Sequence, residues 1–211
     1  MIVLGSLAGA MVIATCWLML ISPAGNQGGR QGGPFASFRD MSLSAIETAG
    51  DTSDALFKLN EQTQLDEWTA IVVRTSGGTH GSAATLNQLH QKAGLGTLAY
   101  HFTIGNGQGA GDGEMEIGPR WHKQQPGYTS MAFHQDPDAR HVIDICLIGD
   151  WHSQAPTDKQ KNDLIWLVQK LQKRMKIPAD RILLGDGTTT KPGQFFPVAW
   201  FRQQLLTDTG T

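Results

Sequence analysis

The sequence predicts an α/β domain with a mixed central sheet covered by helices, preceded by an N-terminal transmembrane helix. From about residue 66, short apolar, β-branched runs alternate with runs at helical spacing, which is the pattern of an α/β fold. Apolar residues make up 40% of the 211 residues and charged residues 17%, a balance that suits one folded core. Residues 2–22 carry no charged side chain at all, so this stretch is suited to the apolar interior of a membrane.

The uncharged stretch from Ile2 to Ser22 is long enough to cross a bilayer. Its 21 residues would span about 31 Å as a helix, close to the thickness of the hydrocarbon layer. A cleaved signal peptide is the alternative, but the basic leader of such a peptide is missing. A lipoprotein signal ending at Cys16 is a weaker alternative. Residues 1–23 are therefore predicted to be a membrane anchor or signal segment.

Glycine dominates the next part of the chain, from Gly25 to Pro34. This stretch has too few apolar residues to fold and is typical of a flexible tether. Residues 24–65 are predicted to be a flexible linker, and residues 66–207 the folded domain.

Five apolar runs in the domain predict strands. The runs at 68–73 and 142–148 are apolar almost throughout, which indicates strands buried on both faces. Cys146, in the second of these, is interpreted as a small buried hydrophobe. The remaining strands are predicted at 98–104, 114–117 and 181–184.

Three helices are predicted between and after these strands. The first covers 83–91, with Gly94 as its stop. The clearest covers 158–176, because Thr157 and Gln160 form a capping-box pattern ahead of a buried apolar stripe. The last covers about 196–206.

Charge and cysteine content exclude several classes of function. The 17 Lys and Arg residues against 19 Asp and Glu residues give a net charge of −2, without the basic stripe of a nucleic-acid binder. Cys16 and Cys146 form neither a disulfide framework nor a Cys-x-x-Cys motif. The glycine-rich stretch 105–113 fits no phosphate-binding pattern and is interpreted as a mobile hairpin connection between two strands.

Six short segments follow one another through the domain: Ile71–Ser76, Ala99–Phe102, Gly118–Trp121, Ile145–Trp151, Pro156–Thr157 with Gln160, and Lys191–Gly193. Their order and spacing resemble the type-2 N-acetylmuramoyl-L-alanine amidase family, which shares its fold with peptidoglycan-recognition proteins. The resemblance covers about residues 68–206. It implies a zinc hydrolase that cuts the amide between the lactyl group of N-acetylmuramic acid and the first alanine of the stem peptide.

The resemblance also assigns the residues of the site. A hydrolytic zinc needs three protein ligands and an open position for water. The family's ligand positions correspond here to Arg74, Asp186 and Lys191, and a further family histidine corresponds to Thr129. Tyr100 matches the tyrosine that helps to stabilise the oxyanion.

These replacements predict that zinc is not bound. A guanidinium has no lone pair for a metal, and a dication about 4 Å from it would feel about 8 kcal/mol of repulsion at an effective dielectric near 20. We expect Arg74 to pair with Asp186, or alternatively with Asp144, in the space that zinc would occupy. Tyr100 is then a catalytic remnant, and the predicted binding residues are Arg74, Thr129, Asp186, Lys191 and Trp121.

The sequence therefore predicts a membrane-anchored domain on the periplasmic or cell-wall side that binds peptidoglycan or muropeptides without zinc-dependent hydrolysis. An active amidase with a relocated metal site and a non-catalytic scaffold remain as alternatives. The aromatic residues Trp121, Tyr128 and Trp151 are candidates for sugar platforms, against the alternative that they belong to the core. The seven histidines are interpreted as surface or hydrogen-bonded residues.

Overall fold

The computed structural model describes residues 36–37, 56–57, 59, 63–129, 137–185 and 192–206. All of them belong to one compact unit that spans residues 32–211. The predicted transmembrane segment, residues 1–23, lies outside the described residues. Among the residues that are described, none forms a helix long and apolar enough to cross a membrane.

Six strands form one mixed sheet in the order β1-β4-β3-β5-β2-β6. Their bounds are β1 Ala36–Ser37, β2 Ala70–Thr75, β3 Phe102–Ile104, β4 Met115–Ile117, β5 Val142–Leu147 and β6 Ile182–Gly185. The strands β3, β5, β2 and β6 are parallel, whereas β4 runs antiparallel to β3 and to β1. The predicted mixed sheet is confirmed, and the two nearly all-apolar strands, β2 and β5, are neighbours in its interior.

Within the part of the chain that the structure describes, four helices have both ends defined: α1 Ala83–Lys92, α2 Pro119–His122, α3 Asp158–Met175 and α4 Val198–Leu206. Short 3-10 turns, Pro137–His141 and Ala179–Arg181, lead into β5 and β6. The capping box predicted for α3 is confirmed, because the Thr157 side chain accepts from the Gln160 N–H and Gln160 accepts from the Thr157 N–H. Helix α1 begins with a similar box, formed by Ser82 and Thr85.

Alternation along the strands divides the buried residues between two faces of the sheet. On the first face, Ile71 and Val73 of β2 and Ile143 and Ile145 of β5 pack in the main core with the apolar stripe of α3. On the second face, a smaller cluster joins α1 to Tyr100 and Cys146, among others. Because successive side chains point to opposite faces, Arg74 and Asp144 lie on this second face.

Element ends differ from the predictions where local chemistry intervenes. Strand β3 is shorter than the predicted run and begins at Phe102. Helix α4 begins at Val198 instead of Phe196, because Pro197 disfavours helical backbone at the residue before it. The glycine-rich stretch does connect two antiparallel strands, β3 and β4, as predicted.

The predicted linker contributes to the folded unit at two described places. Ala36 and Ser37 pair with Ile117 and Glu116 as an edge strand. Leu56 is 1% exposed in the main core. Hydropathy gives no periodic signal at Ala36 and Ser37, and the helical pattern around Leu56 is thin.

Candidate functional site

Arg74, Thr129 and Asp144 form a buried polar network on the second face of the sheet. The Nε of Arg74 donates to Oδ1 of Asp144 at 3.4 Å, and its Nη2 donates to Oγ1 of Thr129 at 3.0 Å. The Arg74 side chain is 7% exposed and that of Asp144 is fully buried. The predicted alternative pairing of Arg74 with Asp144 is therefore confirmed. These three residues are called the Arg74 network below.

Thr129 completes the network by binding both oxygens of the carboxylate. Its hydroxyl donates to Oδ1 of Asp144 at 2.5 Å, and its backbone N–H donates to Oδ2 at 3.0 Å. Since the same hydroxyl accepts from Arg74, every member of the network is linked to the other two. A buried charge is tolerated only when it is paired and hydrogen-bonded in this way.

His101 supports the network from the side of the backbone. Its Nδ1 accepts from the N–H of Asp144 at 2.8 Å, so the proton lies on Nε2, which donates to the carbonyl of Gln125 at 2.9 Å. Burial lowers the pKa of His101, which favours this neutral form. Both ring nitrogens are committed to backbone groups, so His101 positions Asp144 and is hydrogen-bonded as predicted.

Two tyrosines form an aromatic wall beside the network. The Tyr128 ring lies under the Arg74 guanidinium, with 5.1 Å between Cζ and the ring centroid, and Tyr100 lies 5.7 Å further along. Burial raises the pKa of the Tyr100 phenol well above its usual value, and also raises that of the adjacent Cys146 thiol. Tyr100 is therefore a neutral hydrogen-bonding group, and Cys146 is a small buried hydrophobe as predicted.

Arg74 does not fit the role of a zinc ligand. A guanidinium offers donors only, and two of its nitrogens are already bound to Asp144 and Thr129. Asp144 offsets the charge of Arg74, so this position is unsuited to a metal mainly because the guanidinium has no lone pair to donate, and less because of repulsion. The described part of the chain has no group of three His, Cys, Asp or Glu residues arranged to hold a metal.

Asp186 and Lys191 lie outside the described residues. Pairing of Arg74 with Asp186 therefore stays a prediction, as do the binding roles of Asp186 and Lys191. The structure brings together Arg74, Thr129 and Tyr100 of the predicted site, and adds Asp144, Tyr128 and His101 to it.

The structure corrects the binding role predicted for Trp121. Its side chain has no exposed surface, its ring packs 4.8 Å from that of Phe102, and its Nε1 donates to the carbonyl of Leu56 at 2.8 Å. Trp151 is likewise 1% exposed and packs 4.3 Å from Phe196, measured between ring centroids. Of the three proposed aromatic platforms, Tyr128 is the one that is partly exposed.

Sequence reasoning missed the role of Arg120. Its guanidinium donates to three backbone carbonyls, those of Leu95, Leu98 and Pro126. It thereby joins the segment that leads to Tyr100 with the segment that leads to Thr129. The only signal was the Gly-Pro-Arg-Trp motif, which marks the position without indicating its contacts.

The fold and site define a class of protein: an α/β domain whose mixed sheet carries a polar site towards the carboxyl ends of its central parallel strands. The family model for N-acetylmuramoyl-L-alanine amidase matches residues 64–194. The chain belongs to this family.

Comparison with solved structures gives distant likenesses. The N-acetylmuramoyl-L-alanine amidase LysC from Clostridium intestinale URNW is 17% identical, with a TM-score of 0.48 over 70% of this chain and 93% of that one. Drosophila peptidoglycan recognition protein SD is 16% identical, with a TM-score of 0.46 over 70% and 89%. Bumblebee PGRP-SA is 17% identical, with a TM-score of 0.45 over 66% and 89%. No curated protein sequence matches the chain.

Proposed function

We propose that this chain is a cell-wall peptidoglycan-binding protein of amidase fold that does not carry out zinc-dependent hydrolysis. Its uncharged N-terminal segment, residues 1–23, would anchor it in a membrane, with the domain on the periplasmic or cell-wall side. The observation that carries the proposal is the Arg74 network. At a position where the family places a metal ligand, this chain places a guanidinium that is bound to Asp144 and Thr129.

Hydrolysis of a muropeptide and binding of a muropeptide need different groups in the site around the Arg74 network. Hydrolysis in this family needs a metal that converts bound water into a nucleophile at neutral pH. Arg74 cannot hold that metal, and Tyr100 then has no metal-generated oxyanion to stabilise. Recognition of a muropeptide needs only hydrogen-bonding groups and aromatic surface, and the partly exposed ring of Tyr128 beside the network offers such a surface.

A binding experiment on the full-length protein tests the proposal. The protein is mixed with insoluble peptidoglycan, and retention, release of stem peptides and protein-bound zinc are measured together. We expect retention without released peptides and without stoichiometric zinc. Tyr128→Ala should weaken retention, because it removes the partly exposed ring beside the network, whereas Arg174→Gln, on the exposed side of α3, should leave it unchanged.

The other outcomes identify the alternative functions. Released stem peptides together with stoichiometric zinc would make the protein an active amidase. Failure of the wild-type protein to be retained would leave a scaffold or interaction module. Either result contradicts the proposal.

A further inference from the structure

The side of helix α3 that faces away from the sheet combines lysines with a tryptophan. Four of its residues recur at spacings that place them on one side of a helix with 3.6 residues per turn: Lys159, Trp166, Lys170 and Lys173. They extend over about 21 Å of the helix and lie opposite its buried apolar stripe. These four residues are called the outer face of α3 below.

Charge is segregated along this helix. Residues 158–176 hold six of the 17 basic residues of the chain but only two of its 19 acidic ones. Both acidic residues, Asp158 and Asp163, lie at the start, and every charged side chain from residue 164 to residue 176 is basic. Six minus two gives this segment a net charge of +4, so the rest of the chain must carry −6 to reach the total of −2.

Ion pairing and the helix dipole do not explain this excess of positive charge. Lys161 pairs with Asp158 at 2.7 Å, whereas Lys170 and Lys173 have no carboxylate of the described residues at ion-pair distance. The dipole favours Lys173 in the last turn but not Lys159 in the first. A helix face that only meets water usually mixes charges of both signs, so an unmixed face indicates an anionic partner.

Partly exposed aromatic rings lie beneath the cations of this helix. Three cation–π pairs, measured from the cationic Nζ or Cζ to the ring centroid, are Lys161 with Trp200 at 5.5 Å, Lys170 with Trp166 at 6.0 Å and Arg174 with Phe57 at 5.7 Å. Lysine heads beside tryptophan rings are the combination that membrane proteins place at the level of the lipid headgroups.

The sheet separates the outer face of α3 from the Arg74 network. Helix α3 packs on the first face of the sheet through its apolar stripe, whereas Arg74 and Asp144 lie on the second. A surface that contacts the outer face of α3 therefore leaves the Arg74 network accessible on the other side of the domain.

The length of the chain keeps the domain close to one such surface. In the proposed function, residues 1–23 lie in a membrane, and the 12 residues 24–35 separate them from β1. Twelve residues span at most about 43 Å when fully extended. A tethered domain meets the headgroups at high effective concentration, so a small number of weak contacts is sufficient for docking.

We propose that the outer face of α3 docks on anionic phospholipid headgroups of the membrane that holds residues 1–23. The lysine amines bind the lipid phosphates, and Trp166 lies at the level of the headgroups. The inference rests on the proposed function and adds an orientation to it. With α3 on the membrane, the Arg74 network is directed away from the lipid and towards the cell wall.

The test measures lysine reactivity in the full-length protein reconstituted into vesicles of phosphatidylglycerol or of phosphatidylcholine. A water-soluble acetylating reagent is added, and mass spectrometry follows each lysine. We expect Lys159, Lys170 and Lys173 to react several-fold more slowly in phosphatidylglycerol, whereas Lys92, an exposed lysine of α1 on the second face, should react equally in both. Salt at 1 M, which screens charges beyond about 3 Å, should abolish the difference.

Two outcomes of this measurement would overturn the proposal. One is equal reactivity of the three lysines in the two kinds of vesicle. The other is equal protection in phosphatidylcholine vesicles when soluble polyphosphate is added, because this would assign the outer face of α3 to a soluble polyanion instead of a membrane.

Variants at exposed positions make the test independent of folding. Lys173→Gln should lower the ratio of docked to undocked protein about fivefold, read from the protection of Lys159 and Lys170, whereas Lys173→Arg keeps the charge and should retain that protection. Lys92→Gln is the matched control, since it removes the same charge from the opposite side of the domain. Equal protection in all three variants would contradict docking through α3.

Failure of this inference and failure of the proposed function give different results. If the lysines of α3 are not protected while insoluble peptidoglycan still retains the protein, membrane docking is wrong and the proposed function stands. If these lysines are protected but peptidoglycan does not retain the protein, docking is supported and the proposed peptidoglycan binding is wrong.

Discussion

Arg74 and Asp144 each depend on the other, because both are buried and neither can return its charge to water without opening the domain. The carboxylate accepts from Arg74 and twice from Thr129, so its loss would leave three donors without their acceptor. Breaking a buried ion pair on one side leaves an uncompensated charge, whereas removing both charges does not. The pair therefore contributes more to the coupling between β2 and β5 than to net stability.

A double-mutant cycle measures this coupling. Arg74→Met should lower the free energy of unfolding by about 3–5 kcal/mol, because it strands the Asp144 carboxylate. Arg74→Met combined with Asp144→Asn should cost clearly less than the sum of the single changes, since Asn keeps an acceptor for the Thr129 N–H. Urea denaturation gives the four free energies. Strictly additive losses would show that the two side chains are not coupled.

Gly127 is needed for space beside the same network. A Cβ at this position would lie 2.5 Å from Oδ2 of Asp144 and 2.6 Å from Cε1 of His101. Gly127→Ala should therefore destabilise the domain by about 1–3 kcal/mol through overpacking. Gly78→Ala is the matched control, because its Cβ would meet only the His80 carbonyl at 3.9 Å. Thermal or urea unfolding compares the two, and equal losses would contradict the steric argument.

At the scale of elements, the sequence was most informative where local chemistry decides the structure. The capping box at Thr157, the apolar stripe of α3 and the nearly all-apolar runs of β2 and β5 are local patterns, and all of them formed. Leu56 and Trp121 were misjudged because their burial depends on a contact 65 residues apart, the hydrogen bond from the Trp121 indole to the Leu56 carbonyl. No local pattern carries that information.

The candidate site shows the same difference between features that the sequence indicates and contacts between distant residues that it does not. Asp144 was predicted as the second candidate partner of Arg74, after Asp186. The structure shows that the two side chains meet, because the neighbouring strands β2 and β5 bring them to one face. The contacts of Arg120 and those of the Gln160 amide nitrogen were not predicted, because both side chains donate to backbone carbonyls of distant segments. Backbone carbonyls occur at every position, so a sequence does not show which of them such a side chain will bind.

The Gln160 side chain joins α3 to the ends of β3 and β5. Loss of its hydrogen bonds should therefore weaken the packing of the helix against the sheet. Gln160→Met keeps the volume but removes the donor for the buried carbonyls of Ile104 and Ile148. We expect a loss of about 1–3 kcal/mol in the free energy of unfolding. Gln169→Met, a half-buried position on the same helix, should cost less. The prediction fails if urea denaturation gives the two variants the same stability.

The stability of the whole molecule should depend on pH through its neutral histidines. Burial lowers the pKa of His90 to about 4 and also lowers that of His101, whereas an unfolded histidine titrates near 6.5. Between about pH 6.5 and 4 the unfolded chain therefore binds more protons, so stability falls as the pH falls through this window. Burial raises the pKa of Glu116, which acts in the opposite direction and only near the acid end.

Urea midpoints measured from pH 7 to pH 4 test this dependence. His90→Asn should flatten it, because the Asn oxygen can accept from the Ala99 N–H in place of Nδ1 without titrating. His80→Asn changes an exposed histidine and should leave the dependence as it is in the wild type. If the urea midpoint of His90→Asn depends on pH as steeply as that of the wild-type protein, His90 does not cause the dependence.

Whether the scaffold keeps the geometry of a zinc site is a question about the whole molecule, because the three ligand positions lie on separate segments. Arg74 is the residue before the last of β2, whereas Asp186 and Lys191 follow β6 in the sequence and precede Pro192 and Gly193. If only the side chains have been exchanged, the triple variant Arg74→His, Asp186→His, Lys191→Cys should hold stoichiometric zinc after desalting, and the wild-type protein should not.

A His ligand at position 74 would also free the Asp144 carboxylate from Arg74, and this carboxylate lies close enough to orient the new imidazole. Adding Asp144→Asn to the triple variant should therefore weaken zinc affinity by about 10–100-fold, as loss of such an orienting group does. Elemental analysis after zinc exposure decides the matter, and equal zinc in the wild-type protein and the triple variant would restore the metal-dependent enzyme as the better account of this chain.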